Sequence, residues 1–192
     1  MNDNIYQDEN DLPPITKSKR DCFGDLFTTK GLMRATAIAA LYVVLTIIPP
    51  FSPLASGLLQ FRVSEALTIM PLFFLSAVPG LAVGCLVANI VVGKGIFDII
   101  LGPLASLVAA TVTYIIGRLI KKDALRVGLG ILPPILVNAF VVPVIFILAN
   151  LEYGYWISVL FVGLGQTGVL VILGVPLYFS LSKLRGRAKF LQ

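Results

Sequence analysis

Histidine is missing from this 192-residue chain, only 13% of its residues are charged, and it holds two cysteines and one tryptophan. Without histidine there is no imidazole-based proton transfer, no Ser-His or Cys-His nucleophile pair and none of the usual zinc sites. The shortage of charge excludes more. A soluble domain is roughly 45–50% apolar and about 25% charged, whereas this chain is 57% hydrophobic with a mean hydropathy of +0.93. A single soluble core is therefore ruled out. Cys22 and Cys85 fall in a polar tail and in an apolar run respectively, which does not suit a disulfide. The phosphate-cradling pattern G-x-x-x-x-G-K-[ST] is also absent, Gly93-Lys94-Gly95 being too short for it, so ATP used in any transport is hydrolysed by another chain. No period of 20–50 residues repeats, which excludes a solenoid. The two halves show no convincing likeness, which weakens an inverted-repeat carrier.

What is present is apolar length. A helix needs about 20 mostly apolar residues to cross the hydrocarbon, and proline, glycine and charge divide the chain into six candidate spans, roughly 32–49, 63–78, 79–93, 98–120, 129–150 and 155–182. Pro79-Gly80 is expected to turn the second span into the third. Lysine and arginine flanking spans in short loops are retained on the cytoplasmic side. Lys17, Lys19, Arg20, Lys30 and Arg34 precede the first span, Arg118, Lys121, Lys122 and Arg126 separate the fourth from the fifth, and Lys183, Arg185, Arg187 and Lys189 follow the sixth. Six crossings place all three clusters on one side. The expected fold is thus an all-α integral membrane protein, a compact six-transmembrane-helix bundle with both termini cytoplasmic. Residues 1–30 form a polar tail that cannot bury enough apolar surface to fold alone, and residues 31–192 form the membrane domain. The net charge of +5 is topological, so nucleic acid is not an expected partner, and no cofactor is expected either.

Polar groups inside a bilayer are costly, so their positions are informative. Arg62 and Glu65 open the second span at spacing i, i+3, and Lys94 and Asp98 enter the fourth at i, i+4. Two readings stand: local ion pairs at the interface, or a charged rim over a ligand cavity. Asn89, Asn138 and Gln166 lie about 14–16 Å from the starts of three different spans. They serve either as glue between helices or as a converging set of amides. Glu152, Tyr153, Tyr155 and Trp156 fall on the outer side, with Tyr42, Phe61 and Phe97 near it; such aromatics anchor in headgroups or stack on a flat ligand. Pro49-Pro50 and Pro53 end the first span, and Pro133-Pro134 and Pro143 interrupt the fifth around Asn138. Ala35 and Ala39, and Gly80, Gly84 and Ala88, make small faces that admit a close helix neighbour.

The run Gln60-Phe61-Arg62-Val63-Ser64-Glu65-Ala66-Leu67-Thr68, with Pro79-Gly80, Cys85 to Asn89, Asp98-Ile99 and Pro133-Pro134 through Asn138, resembles the QueT family of substrate-binding S components of energy-coupling factor transporters. The resemblance covers about Gly31 to Leu184. It implies a six-helix subunit in the cell membrane of a Gram-positive bacterium that captures a queuosine precursor from the external side. Such precursors are 7-deazaguanines, among them the aminomethyl and cyano forms. The implied partners are a membrane T component and two cytoplasmic ATPases, with Ala35 and Ala39 matching the face that S components turn to the T component. A deazaguanine edge presents donors beside a carbonyl acceptor, which suits a carboxylate with an amide or arginine. The candidate substrate-binding set is Phe61, Arg62, Glu65, Asn89, Asp98, Asn138, Trp156 and Gln166, with Glu65 or Asp98 on the donor edge and Phe61 or Trp156 stacking. The competing function is a self-sufficient, ion-coupled carrier of a small heteroaromatic solute using Glu65 or Asp98. An enzyme is the least favoured reading.

Overall fold

The computed structural model describes residues 26–47, 61–151 and 154–190, with side chains as far as Leu184. Residues 1–25 of the polar tail, with Cys22, the Pro49-Pro50 and Pro53 break, and Glu152 and Tyr153 lie outside the described residues, and the last residues of the expected tail already enter α1. Within them every element is helical: α1 (Thr29–Ile47), a 3₁₀ helix (Val63–Leu72), α2 (Ala77–Val92), α3 (Ile96–Leu119), α4 (Asp123–Gly130), α5 (Leu132–Leu148), α6 (Tyr155–Val169), a π-helical segment (Leu170–Gly174) and α7 (Val175–Phe190).

The bundle is packed inside out relative to a soluble one. On α3 the inward residues are Ala105, Ser106, Ala109, Ala110 and Thr113, while Ile100, Leu104, Leu107, Val108 and Ile115 face outward. Water would reverse that pattern, but lipid tails are as apolar as leucine, so helices associate through small and polar faces. Four stretches are long and apolar enough to cross a membrane: Thr29–Ile47, Ile96–Leu119, Asp123–Leu148 and Tyr155–Leu184. They coincide with the expected first, fourth, fifth and sixth spans.

The region expected to hold spans two and three is built differently. The 3₁₀ helix has 10 residues and α2 has 16, giving lengths of about 20 Å and about 24 Å against a hydrocarbon core of about 30 Å. The chain bends at 73–76, not at Pro79-Gly80. Pro79 sits in the first turn of α2, where its missing N–H has no helical partner to lose. The double proline of the fifth span also opens a helix: Pro133 and Pro134 fall in the first turn of α5, and only Pro143 lies in its interior. Further along, Pro176 cannot donate to the Ile172 carbonyl, and the turn before it widens into the π segment.

The 3₁₀ helix threads the centre of the bundle, with Ser64 to Ile69, Pro71 and Leu72 buried. Its tight turns appear in Glu65 N–H donating to the Arg62 carbonyl at 3.0 Å and Phe73 N–H to Met70 at 2.9 Å. Pro71 denies it the α-helical bond to Leu67. Its far end is fastened at the basic side of the bundle: Arg126 donates to the Leu72 carbonyl, and Tyr178 donates to Asp123 at 2.8 Å while its ring lies 4.8 Å from that of Phe73. Against this axis α1 and α2 pack very closely. A methyl added at Gly80 would stand 2.7 Å from the Ala35 carbonyl oxygen, and one at Gly84 would stand 2.9 Å from Tyr42 Cβ and 3.1 Å from Ala39 Cα.

Candidate functional site

Glu65, 4% exposed in the first turn of the 3₁₀ helix, is the acceptor around which three helices converge. Tyr42 of α1 donates its hydroxyl to Oε1 at 2.5 Å, and Asn138 of α5 and Gln166 of α6 donate their amides to Oε2 at 3.3 and 3.2 Å. All three partners donate, so the carboxylate serves as acceptor only. Placing a carboxylate here requires such partners, because an unpaired one in an apolar interior is prohibitively costly. Thr46 Oγ1, 2.8 Å from Ser64 Oγ, and Thr68, donating to the Glu65 carbonyl at 2.7 Å, hold the surrounding turn.

A second group sits where α2 meets α3. Gly93 closes α2 with φ +73°, the left-handed value that glycine adopts without strain, and Lys94 N–H donates back to the Asn89 carbonyl at 2.9 Å. The Gly93-Lys94-Gly95 sequence is thus a helix cap and a turn. Asn89, fully buried, donates to the Asp98 carbonyl at 2.8 Å and fixes the start of α3. Across from it, Arg62 Nη2 stands 4.0 Å from Asp98 Oδ1, with side chains 10% and 17% exposed. That separation is a charge pairing without a direct hydrogen bond. Arg62 Nε is buried with no partner among the described residues. Lys94 borders the pair; burial, and then the Arg62 charge, hold its pKa below the usual lysine value, opposed in part by Asp98.

Between these groups lies a hollow of about 430 Å³, its open mouth included, whose enclosed part is narrow. Arg62, Glu65, Asp98, Asn138 and Gln166 line it together, with Cys85 and Ser106 on the α2 and α3 side. Asn89 stands behind Asp98. Phe61 lies against α6, its ring 3.5 Å from where a methyl on Gly168 would be. Trp156 is 74% exposed, packs edge-on against Tyr155 at 5.3 Å and is not part of the lining. Ala35 and Ala39 meet Gly80 and Gly84 of α2, so their small face is occupied within the chain. Tyr42, Cys85 and Ser106 were not assigned to the site from the sequence; the hydroxyl that buried Tyr42 had to satisfy was the available signal. Arg34, Arg118 and Arg126 mark the other end of the molecule: α3 carries Asp98 in its first turn and Arg118 in its last.

Residues 32–183 match the family described as the QueT transporter. The chain belongs to the QueT transporter family. With its four membrane-length apolar helices it is a multi-pass membrane protein. Among curated proteins it is similar to a queuosine precursor transporter QueT of Lactococcus lactis subsp. cremoris (strain MG1363), a Gram-positive bacterium, at 32% identity over 95 residues. That alignment spans 50% of this chain and 56% of the relative. No solved structure matches the chain.

Proposed function

We propose that this protein is the substrate-capture subunit of an ATP-driven importer of the energy-coupling factor type, taking a queuosine precursor of the 7-deazaguanine class from the external side of a Gram-positive cell membrane. The observation carrying this reading is one hollow in which two carboxylates, two amides and an arginine from four elements converge at the end of the bundle away from its basic clusters. A deazaguanine needs such a mixture, since its ring edge alternates donors with a carbonyl acceptor. The relative's name points to the same class of solute. The chain lacks a nucleotide-binding loop, so two cytoplasmic ATPases and a membrane T component supply the energy. Six crossings with both termini cytoplasmic remain the topology this role needs, with the 3₁₀ helix and α2 as the two short passes. Docking of a T component through Ala35 and Ala39 requires α2 to yield the face it now covers.

Purified chain reconstituted into proteoliposomes tests the reading. Alone it is expected to bind 7-aminomethyl-7-deazaguanine without accumulating it, and with T component, ATPases and internal ATP it is expected to concentrate the compound. Buried Glu65 favours one other reading, an ion-coupled carrier. Accumulation by the chain alone, driven by a proton or sodium gradient, would establish that reading and sink the first.

A further inference from the structure

The two carboxylates of the hollow are not equivalent. Glu65 accepts one bond on Oε1 and two on Oε2, all from side chains of its own protein. Asp98 is linked to its partner only across 4.0 Å, and the partner keeps a buried Nε–H with no acceptor among the described residues. Saturated groups organise a site, whereas unsaturated buried ones are where a ligand gains most, because binding removes a standing desolvation cost. The charged side chains lining the hollow are Arg62, Glu65 and Asp98. The lining thus sets two carboxylates against one guanidinium, and Lys94 lies outside the lining, so with Glu65 already bonded three times Asp98 is the carboxylate left for a cationic group.

We infer that Asp98 and Arg62, rather than Glu65, read the ligand, and that they make the site select a heteroaromatic carrying a cationic arm over its neutral counterpart. The inference rests on the proposed capture of a deazaguanine and deepens it. The ligand enters between the two side chains: its ammonium arm takes Asp98, its ring carbonyl takes Arg62, and the loose pair parts. Glu65 acts as a positioning residue, holding Asn138 and Gln166 at fixed places around the ring, with Tyr42 as its third donor outside the lining. A primary alkylamine is an ammonium at neutral pH, so the aminomethyl compound carries the charge. Its hydroxymethyl analogue presents nearly the same shape without it.

The test is calorimetric titration of the purified full chain with 7-aminomethyl- and 7-hydroxymethyl-7-deazaguanine. A charge-assisted bond exceeds a neutral one enough to give the native chain a preference of about tenfold or more for the cation. Asp98→Asn should bring the two affinities together by weakening the cation alone, and Glu65→Gln should weaken both ligands while leaving their ratio. If Asp98→Asn does not survive purification, Asp98→Glu serves, and it should reduce the affinity for the cation more than that for the alcohol. A preference that persists in Asp98→Asn, one that vanishes in Glu65→Gln instead, or an equal loss for both ligands in Asp98→Glu would overturn the inference. Equal affinity of the native chain for both compounds would overturn it while leaving the capture function standing, and failure of the native chain to bind either would remove both.

Discussion

Replacing Glu65 by glutamine changes one carboxylate oxygen to an N–H₂ group and leaves the shape of the side chain intact, so its effect isolates the acceptor role of the carboxylate. Three bonds end on that carboxylate, from Tyr42, Asn138 and Gln166. Bonds to an ionised acceptor are worth about 1.5–3 kcal/mol and are roughly twice as strong as neutral ones. Glutamine keeps one acceptor oxygen at about half the bond strength and turns an N–H₂ towards the remaining donors, a combined loss of about 2–5 kcal/mol. The loss is near the lower figure if the Asn138 or Gln166 amide turns to present its oxygen to the new N–H₂. Because the donors belong to α1, α5 and α6, the loss falls on helix association as well as on ligand affinity. The assay is thermal unfolding of the purified variant in detergent, followed by titration with 7-aminomethyl-7-deazaguanine. Lower melting temperature together with weaker binding is expected. A variant with the melting temperature of the native chain would refute the claim that Glu65 ties three helices together.

Further expectations concern the supports of that site. Gly84→Val places a side chain against Tyr42 Cβ and the Ala39 backbone, and overpacking of this kind costs about 1–3 kcal/mol; a melting temperature equal to that of the native chain would contradict the close α1–α2 approach. Asn89→Ala removes the bond to the Asp98 carbonyl, a loss of about 1–3 kcal/mol, and should weaken ligand binding without Asn89 touching the ligand; unchanged affinity would show that the α2–α3 corner does not position Asp98. Arg126→Ala frees the Leu72 carbonyl at the far end of the 3₁₀ helix and should speed hydrogen exchange around residues 70–73 relative to α3; equal exchange would remove Arg126 from that role. Trp156, largely exposed and outside the lining, should change its fluorescence little on ligand addition, and a large saturable shift would bring it into the site.

The polar residues of the site could be read from the sequence because the bilayer makes them expensive: Glu65, Asn138 and Gln166 stand out in apolar runs, and the structure brings all three into contact. Tyr42 could not be told from an interface anchor, since an aromatic ring with a hydroxyl suits both places. Trp156 is open to the same two readings, and it stands exposed and outside the lining. The 3₁₀ helix left no periodic trace because Val63 to Leu72 is buried on almost every side, and a run that is apolar all round has no face to reveal its period. Prolines misled at Pro79 and at Pro133-Pro134, where a residue that breaks helices in their interior instead opens them. The Ala35 and Ala39 face was legible as a close-packing surface, but nothing in a single chain's spacing says whether the neighbour is α2 or another protein.

Whether the polar end of the bundle is a ligand site is tested most directly by calorimetric titration of the purified chain, without any other subunit, with 7-aminomethyl-7-deazaguanine. Saturable binding of one ligand per chain is expected, lost when Arg62→Ala and Gln166→Ala are combined because the hollow then loses both its arginine and an α6 amide. No saturable heat in the native chain, or undiminished binding by the double variant, would contradict it.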